Sequence, residues 1–121
     1  MSIFKGIKDE IWLACEAALP TEKNKDKIEQ FRIKIEVLKE TAAKELMERV
    51  SDKHNSADIA SELSKIIRDW DVKGPDDEPV EFNPENLESI WEEGPYAVGI
   101  IEAWHQLRLG KKTYRRLHEK N

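Results

Sequence analysis

The chain has 121 residues, 39% of them hydrophobic and 37% charged, with a formal net charge of −5. That length allows one domain at most, with a tail and a single small core, and four tryptophans with clear periodicity argue against full disorder. An acidic chain repels nucleic acid and anionic membrane, so a basic protein surface is the expected partner rather than either of these.

In chain order, Ile11, Leu13, Cys15, Ala17 and Leu19 place apolar side chains at alternate positions. That predicts a strand over 11–19, although the alanines leave a helix open. A polar connection, Pro20 to Asp26, follows. Phe31, Ile33, Ile35 and Val37 then alternate with Arg32, Lys34 and Glu36, which predicts a half-buried strand over 28–37. The two strands are expected to form a hairpin with a long loop and an open edge on each strand, and open edges invite pairing with another chain. The period changes at residue 40. Ala42, Ala43, Leu46, Met47 and Val50 predict a helix over 40–52, broken at His54-Asn55. Ser56 is an N-cap for a second helix with Ile59, Ala60, Leu63, Ile66, Ile67 and Trp70 on one stripe. Residues 71–82 are a loop, and Asn83-Pro84 signals a third helix carrying Leu87, Ile90 and Trp91. Gly94 is expected to end it in the left-handed conformation and Pro95 to start a fourth. Val98, Ile101 and Trp104 form the predicted apolar face of that helix, flanked by Ile100 and Leu107. The expected fold class is therefore α+β, mostly α: an N-terminal β-hairpin followed by about four short helices. Residues 1–109 form the predicted domain. Residues 110–121 form a basic tail expected to fray in isolation.

Chemistry is not announced by any residue cluster. His54, His105 and His118 lack metal-ligand spacing, and no zinc, nucleophile-elbow or phosphate-cradle motif occurs. No catalytic residue, metal or cofactor is assigned. Cys15, the single cysteine, excludes a disulfide framework within the chain and reads as a packed small hydrophobe. The first residues lack the apolar run and cleavage site of a secretory signal, and no apolar run approaches a membrane span, so a cytoplasmic protein is expected. The charge is unevenly placed. Asp76 to Glu93 hold eight acids and no base, while residues 108–121 hold six Lys/Arg and one Glu. The acid block serves solubility or contacts a basic, amphipathic partner helix; the basic tail is a weak nucleic-acid signal and fits the acidic body of a neighbouring copy equally well. Trp70, Trp91 and Trp104 read first as core and second as partner contacts. Trp12 falls on the opposite side of its strand from Leu13 and Cys15, and an exposed Trp there would mark an interface. The candidate partner-binding residues are Trp12, Asp76, Asp77, Phe82, Glu85, Glu88, Trp91 and Glu92.

Three stretches carry a resemblance: Trp70-Asp71 through Phe82, then Pro84-Glu85-Asn86-Leu87, then Gly94-Pro95-Tyr96 to Ala103-Trp104. Their order resembles tail assembly chaperones of long-tailed, lambda-like bacteriophages and prophages, over roughly residues 31–107. The Ala-rich first strand and Trp91 depart from common members. The resemblance implies a non-enzymatic helper in the cytoplasm of the bacterial host. Such proteins bind the tape measure protein in many copies, help recruit tail tube subunits, and are often extended by ribosomal frameshifting. If frameshifting occurs here, the codons for Gly110-Lys111-Lys112 are where slippage is expected. A small acidic adaptor or inhibitor from a mobile element is the alternative, and neighbouring genes for a tube protein and a very long helical protein would separate the two.

Overall fold

A computed structural model describes residues 8–22, 27–51 and 56–109. Its elements are β1 (Glu10–Leu19), β2 (Lys27–Glu36), α1 (Glu40–Ser51), α2 (Ser56–Ser64), β3 (Ile67–Trp70), α3 (Pro84–Ile90) and α4 (Gly94–Leu109). The class is α+β, with a more even share of strand and helix than the mostly helical expectation. The break at His54-Asn55 and the basic tail lie outside the described residues.

Both alternating runs are strands. β1 and β2 pair antiparallel in unbroken register, from Glu10 opposite Glu36 to Leu19 opposite Lys27. Cys15, Ala17, Phe31, Ile33 and Ile35 point to one side and are buried, while Trp12, Ala14, Glu16, Ala18, Gln30 and Arg32 point to the other and are exposed. The helices contribute Leu46, Leu63, Ile90, Ile100 and Trp104 to the same core, so one face of the sheet is packed and the other is open.

The hairpin expectation needs a correction, because among the described residues the sheet has three strands in the order β1-β2-β3. The helix expected from Ser56 to Trp70 stops at Ser64, and Ile67–Trp70 adds to β2. The reason is a β-bulge. Ile35 faces Ile67, Lys34 faces Asp69 and Ile33 faces Trp70, so Arg68 is an extra residue on β3. A bulge lets two residues three apart point to the same face, which in sequence imitates a helical stripe. β2 is thus the central strand, and among the described residues β1 keeps an edge that pairs with no other strand. Arg49 Nε donates to Glu62 Oε2 at 2.8 Å and ties α1 to α2; that hydrogen bond is the main cause holding the Glu62 carboxyl below its ordinary value.

The third helix starts as its sequence indicates. Asn83 Oδ1 accepts from the Asn86 amide at 2.8 Å, and Pro84 occupies the first turn. Its end differs from expectation. Trp91 caps it in the right-handed region, tight turns close through Glu92 N to Ser89 O and Glu93 N to Ile90 O, and Gly94 opens α4 without a positive φ. The buried stripe of α4 is also rotated from the expected one. Ala97, Ile100, Ala103 and Trp104 are buried, whereas Val98 is 53% exposed. Small residues set that rotation: Gly99 lets the helix backbone approach the Glu16 carbonyl of β1, which no larger residue would allow.

Candidate binding site

Trp70 organises the segment that follows it. Its ring is buried, packs edge-to-face on Phe82 at 5.1 Å and donates from Nε1 to the Val80 carbonyl at 2.7 Å. Residues 72–80, expected as plain loop, form a miniature hairpin. Val80 N bonds Val72 O, Gly74 N bonds Glu78 O and Asp77 N bonds Gly74 O, with Lys73 bridged to Pro79. Pro75-Asp76 sit at the centre of the turn, and Asp77 closes it at φ 63°. That is a three-residue hairpin loop whose last position favours glycine. The Gly-Pro-Asp-Asp run was a legible signal for it. Asp77→Gly is expected to stabilise the protein by about 0.5–1 kcal/mol, by relieving left-handed strain at small entropic cost; urea denaturation checks it, and a loss of stability would mean that the Asp77 side chain holds the turn.

Behind this hairpin lies an open cleft of about 630 Å³. Trp70, Val72 and Ile90 give it an apolar floor, with Leu19 and Val80 beside them. Its rim carries Glu29, Asp77 and Glu93 together with Lys27 and Lys73. Tyr96 stands in the wall, 5.0 Å from the Phe31 ring. Burial pushes its hydroxyl above the usual value, and the negative charges of Glu29 and Glu93 push it further. Asp77 and Lys73 approach to 3.7 Å, while Glu29 and Glu93 pair with no described cation. The loop, α3 and the turn after it bear the eight acids from Asp76 to Glu93, all of them exposed, and Asp77 and Glu93 among them line the cleft.

The sequence candidates divide among three places. Asp77 lines the cleft. Asp76, Glu85, Glu88 and Glu92 are exposed on the surrounding acidic surface, and Phe82 is half-buried against Trp70. Trp91 is 8% exposed and donates from Nε1 to Ser64 Oγ at 2.8 Å, so its ring closes the core. Trp12 lies on the open face of the sheet, 42% exposed. The Arg32 guanidinium sits 5.1 Å from its ring centroid and the Lys34 ammonium 6.0 Å, a cation–π arrangement that partly satisfies the ring. Sequence reasoning missed Glu29, Glu93 and Tyr96 as a group. Glu29 carried a signal, because it shares the parity of Phe31, Ile33 and Ile35 and so had to emerge at the margin of the packed face.

The open face is laced by ion pairs: Lys34 with Glu10, Arg68 with Glu36 and Arg32 with Asp71. Asp71 extends the ladder beyond β3. Its amide donates to the Arg32 carbonyl, and its carboxylate accepts from both the Arg32 amide and Nε. Burial alone would raise the Asp71 carboxyl, but the hydrogen bonds and charge of Arg32 outweigh it and leave the carboxyl below its ordinary value.

Cys15 is 2% exposed, and its thiol is pushed up to about 12, first by burial and then by the charge of Asp71. Only the thiolate attacks, and at pH 8 it is roughly one part in ten thousand of such a thiol. Labelling of native protein at pH 8 is therefore expected to proceed through unfolding and to accelerate steeply in denaturant. Rapid labelling without denaturant would place the sulfur in reach of solvent. Among the described residues no three His, Cys, Asp or Glu side chains could hold a metal ion, and no helix is long and apolar enough to cross a membrane. Comparison with protein-family models, with curated proteins and with solved structures gave no match.

Proposed function

We propose that this chain is a non-enzymatic tail assembly chaperone of a long-tailed bacteriophage or prophage, acting in the cytoplasm of the bacterial host. In this reading it holds the tape measure protein, helps recruit tail tube subunits and self-associates. The observation that carries the reading is the cleft beside Trp70, with its apolar floor and with Glu29 and Glu93 on its rim paired with no described cation. An amphipathic helix seats its apolar stripe in such a groove, and its basic flank meets the acids. A tape measure protein is long and largely helical, and it exposes such stripes until tube subunits cover them. Many weak, reversible contacts along it would keep it soluble. Among the described residues no strand pairs with the outer edge of β1, and an unpaired strand edge supports self-association where the neighbouring α4 leaves it accessible. A frameshifted longer form belongs to the same proposal, and a slippery run in the codons of Gly110-Lys111-Lys112 would be its mark.

The test is co-expression with the long helical protein encoded nearby. The expected result is recovery of that protein in soluble form, co-purifying with this chain and released by salt. Exchanging Glu29 and Glu93 for lysine should weaken the complex at least tenfold while leaving the fold intact by circular dichroism. Equal aggregation of the helical protein with and without this chain would overturn the reading.

A further inference from the structure

The cleft is rich in hydrogen-bond acceptors and short of donors. Asn86, Ser89 and Glu93 follow one another three and four positions apart along α3 and the turn after it, and all three line the cleft. The donors among them are already engaged within the protein. Asn86 Nδ2 donates to the Glu81 carbonyl at 2.8 Å, and Ser89 Oγ donates to the Glu85 carbonyl at 3.0 Å. Acceptor capacity is what remains on these side chains: Asn86 Oδ1, the lone pairs of Ser89 Oγ and the Glu93 carboxylate. Glu29 adds a second carboxylate to the rim. The ion pair described there is Lys73 with Asp77, at 3.7 Å, and Lys27 pairs with neither Glu29 nor Glu93. Two carboxylates beside further neutral acceptors match a cation that carries several donors in one plane. A guanidinium is that cation: it presents five N–H groups in a fixed fork and keeps its charge, whereas an ammonium is a point charge with three.

We propose that the cleft contains an arginine subsite. A partner helix places one guanidinium against Glu29 and Glu93, with Asn86 Oδ1 and Ser89 Oγ as further acceptors, and lays its apolar stripe on Val72 and Ile90. This rests on the cleft being the partner site, as proposed above, and adds which side chain the partner must carry there. The volume of about 630 Å³ falls within the roughly 300–1,000 Å³ of sites that enclose small ligands, so the helix lies over the cleft and inserts side chains. The arginine and the apolar residues that enter together stand three or four positions apart on the partner, since those positions share a helix face. Lysine answers the two charges but not the array of acceptors around them, so the site discriminates between the two cations.

The experiment uses the full chain and synthetic amphipathic helices of about 15 residues, each with a leucine stripe and no other charge. They differ at one position, three residues from a leucine, which is arginine, lysine or glutamine. Calorimetry should show the arginine peptide binding about tenfold more tightly than the lysine peptide, the increment of one further hydrogen bond to a charged group, and the glutamine peptide weakest. Equal affinity for arginine and lysine, or no binding by any peptide, would overturn the proposal. Glu29→Gln with Glu93→Gln should lower the preference for arginine over glutamine at least tenfold. Ser89→Ala should lower the preference for arginine over lysine several-fold. Both variants should keep the wild-type circular dichroism, and unchanged preferences in them would place the peptide elsewhere. Tyr96 marks the site independently, because with Tyr114→Phe it is the remaining tyrosine. Burial first, and then the charges of Glu29 and Glu93, push its ionisation up. A bound guanidinium offsets those charges, so its absorbance titration should move to lower pH with the arginine peptide; no movement would overturn the seating. Co-expression separates this subsite from the reading it rests on. Arginine-selective peptide binding with no hold on the tape measure protein would remove the chaperone reading and leave the subsite standing. A hold on the tape measure protein that ignores Glu29→Gln with Glu93→Gln would remove the subsite and leave the chaperone reading standing.

Discussion

Trp70→Ala is expected to destabilise the protein by about 3–5 kcal/mol, the range for emptying a site filled by a buried aromatic. Three losses coincide there. The ring is 6% exposed and faces Ile33 across the β2–β3 ladder, so its removal opens the core beside the last strand. The Val80 carbonyl loses its 2.7 Å partner, and Phe82 loses the ring it packs against. The cleft would lose part of its floor with them, because Trp70 lines it. For a chain of this length about 1 kcal/mol moves the thermal midpoint by roughly 4 °C, so a drop of at least 10 °C is expected. Trp70→Phe separates the terms. It keeps most of the apolar contact and leaves Val80 O without its donor, for a loss of about 1–2 kcal/mol. Near-wild-type unfolding of the alanine variant would mean that Trp70 serves the surface and not the core.

Gly99→Ala is expected to cost about 1–3 kcal/mol despite a helix-propensity gain near 1 kcal/mol. A methyl group at this position would collide with the Glu16 carbonyl oxygen and lie 3.0 Å from the carbonyl carbon. The obstacle is strand backbone, which cannot turn aside as a flexible side chain does, so α4 must lift from β1. Gly94→Ala, on the same helix, is the internal control. Nothing lies within 4 Å of the position its methyl would take, and its φ is not left-handed, so a change of about 0.5 kcal/mol or less is expected. Opposite outcomes from one substitution at two glycines of one helix would establish the close approach of α4 to β1. A stabilising Gly99→Ala would refute it.

Several elements were legible because their signals are local. The alternation in Phe31–Ile35 marks a strand with one dry face, and the partner run Ile11–Leu19 matches it residue for residue. Asn83-Pro84 announces a helix start because a side-chain oxygen three residues ahead of a free amide, and a residue lacking its own amide hydrogen, suit that position alone. The second helix was over-extended for a reason equally local: Ile67 and Trp70, three apart, satisfy both a helical stripe and a bulged strand. Only the availability of the β2 edge decides between them. Val98 and Ile100 are alike in composition, and which one is buried depends on the rotation that Gly99 permits against Glu16.

The candidate site divides along the same line. The sequence by itself determined the α+β class, the second long strand, the capped third helix, the concentration of eight acids between Asp76 and Glu93, and the concentration of bases beyond Leu107, while for residues 11–19 it favoured a strand and left a helix open. Each of these is a property of residues close together in the chain, where period, capping and charge act without help. The tertiary structure alone decided that Trp91 closes the core while Trp12 stays on an open face, that β3 completes the sheet, and that Glu29, Glu93 and Tyr96 share one wall with Trp70 below them. Those residues are separated by tens of positions, and their meeting depends on how the described strands and helices exclude water from a common core. No local pattern encodes that arrangement.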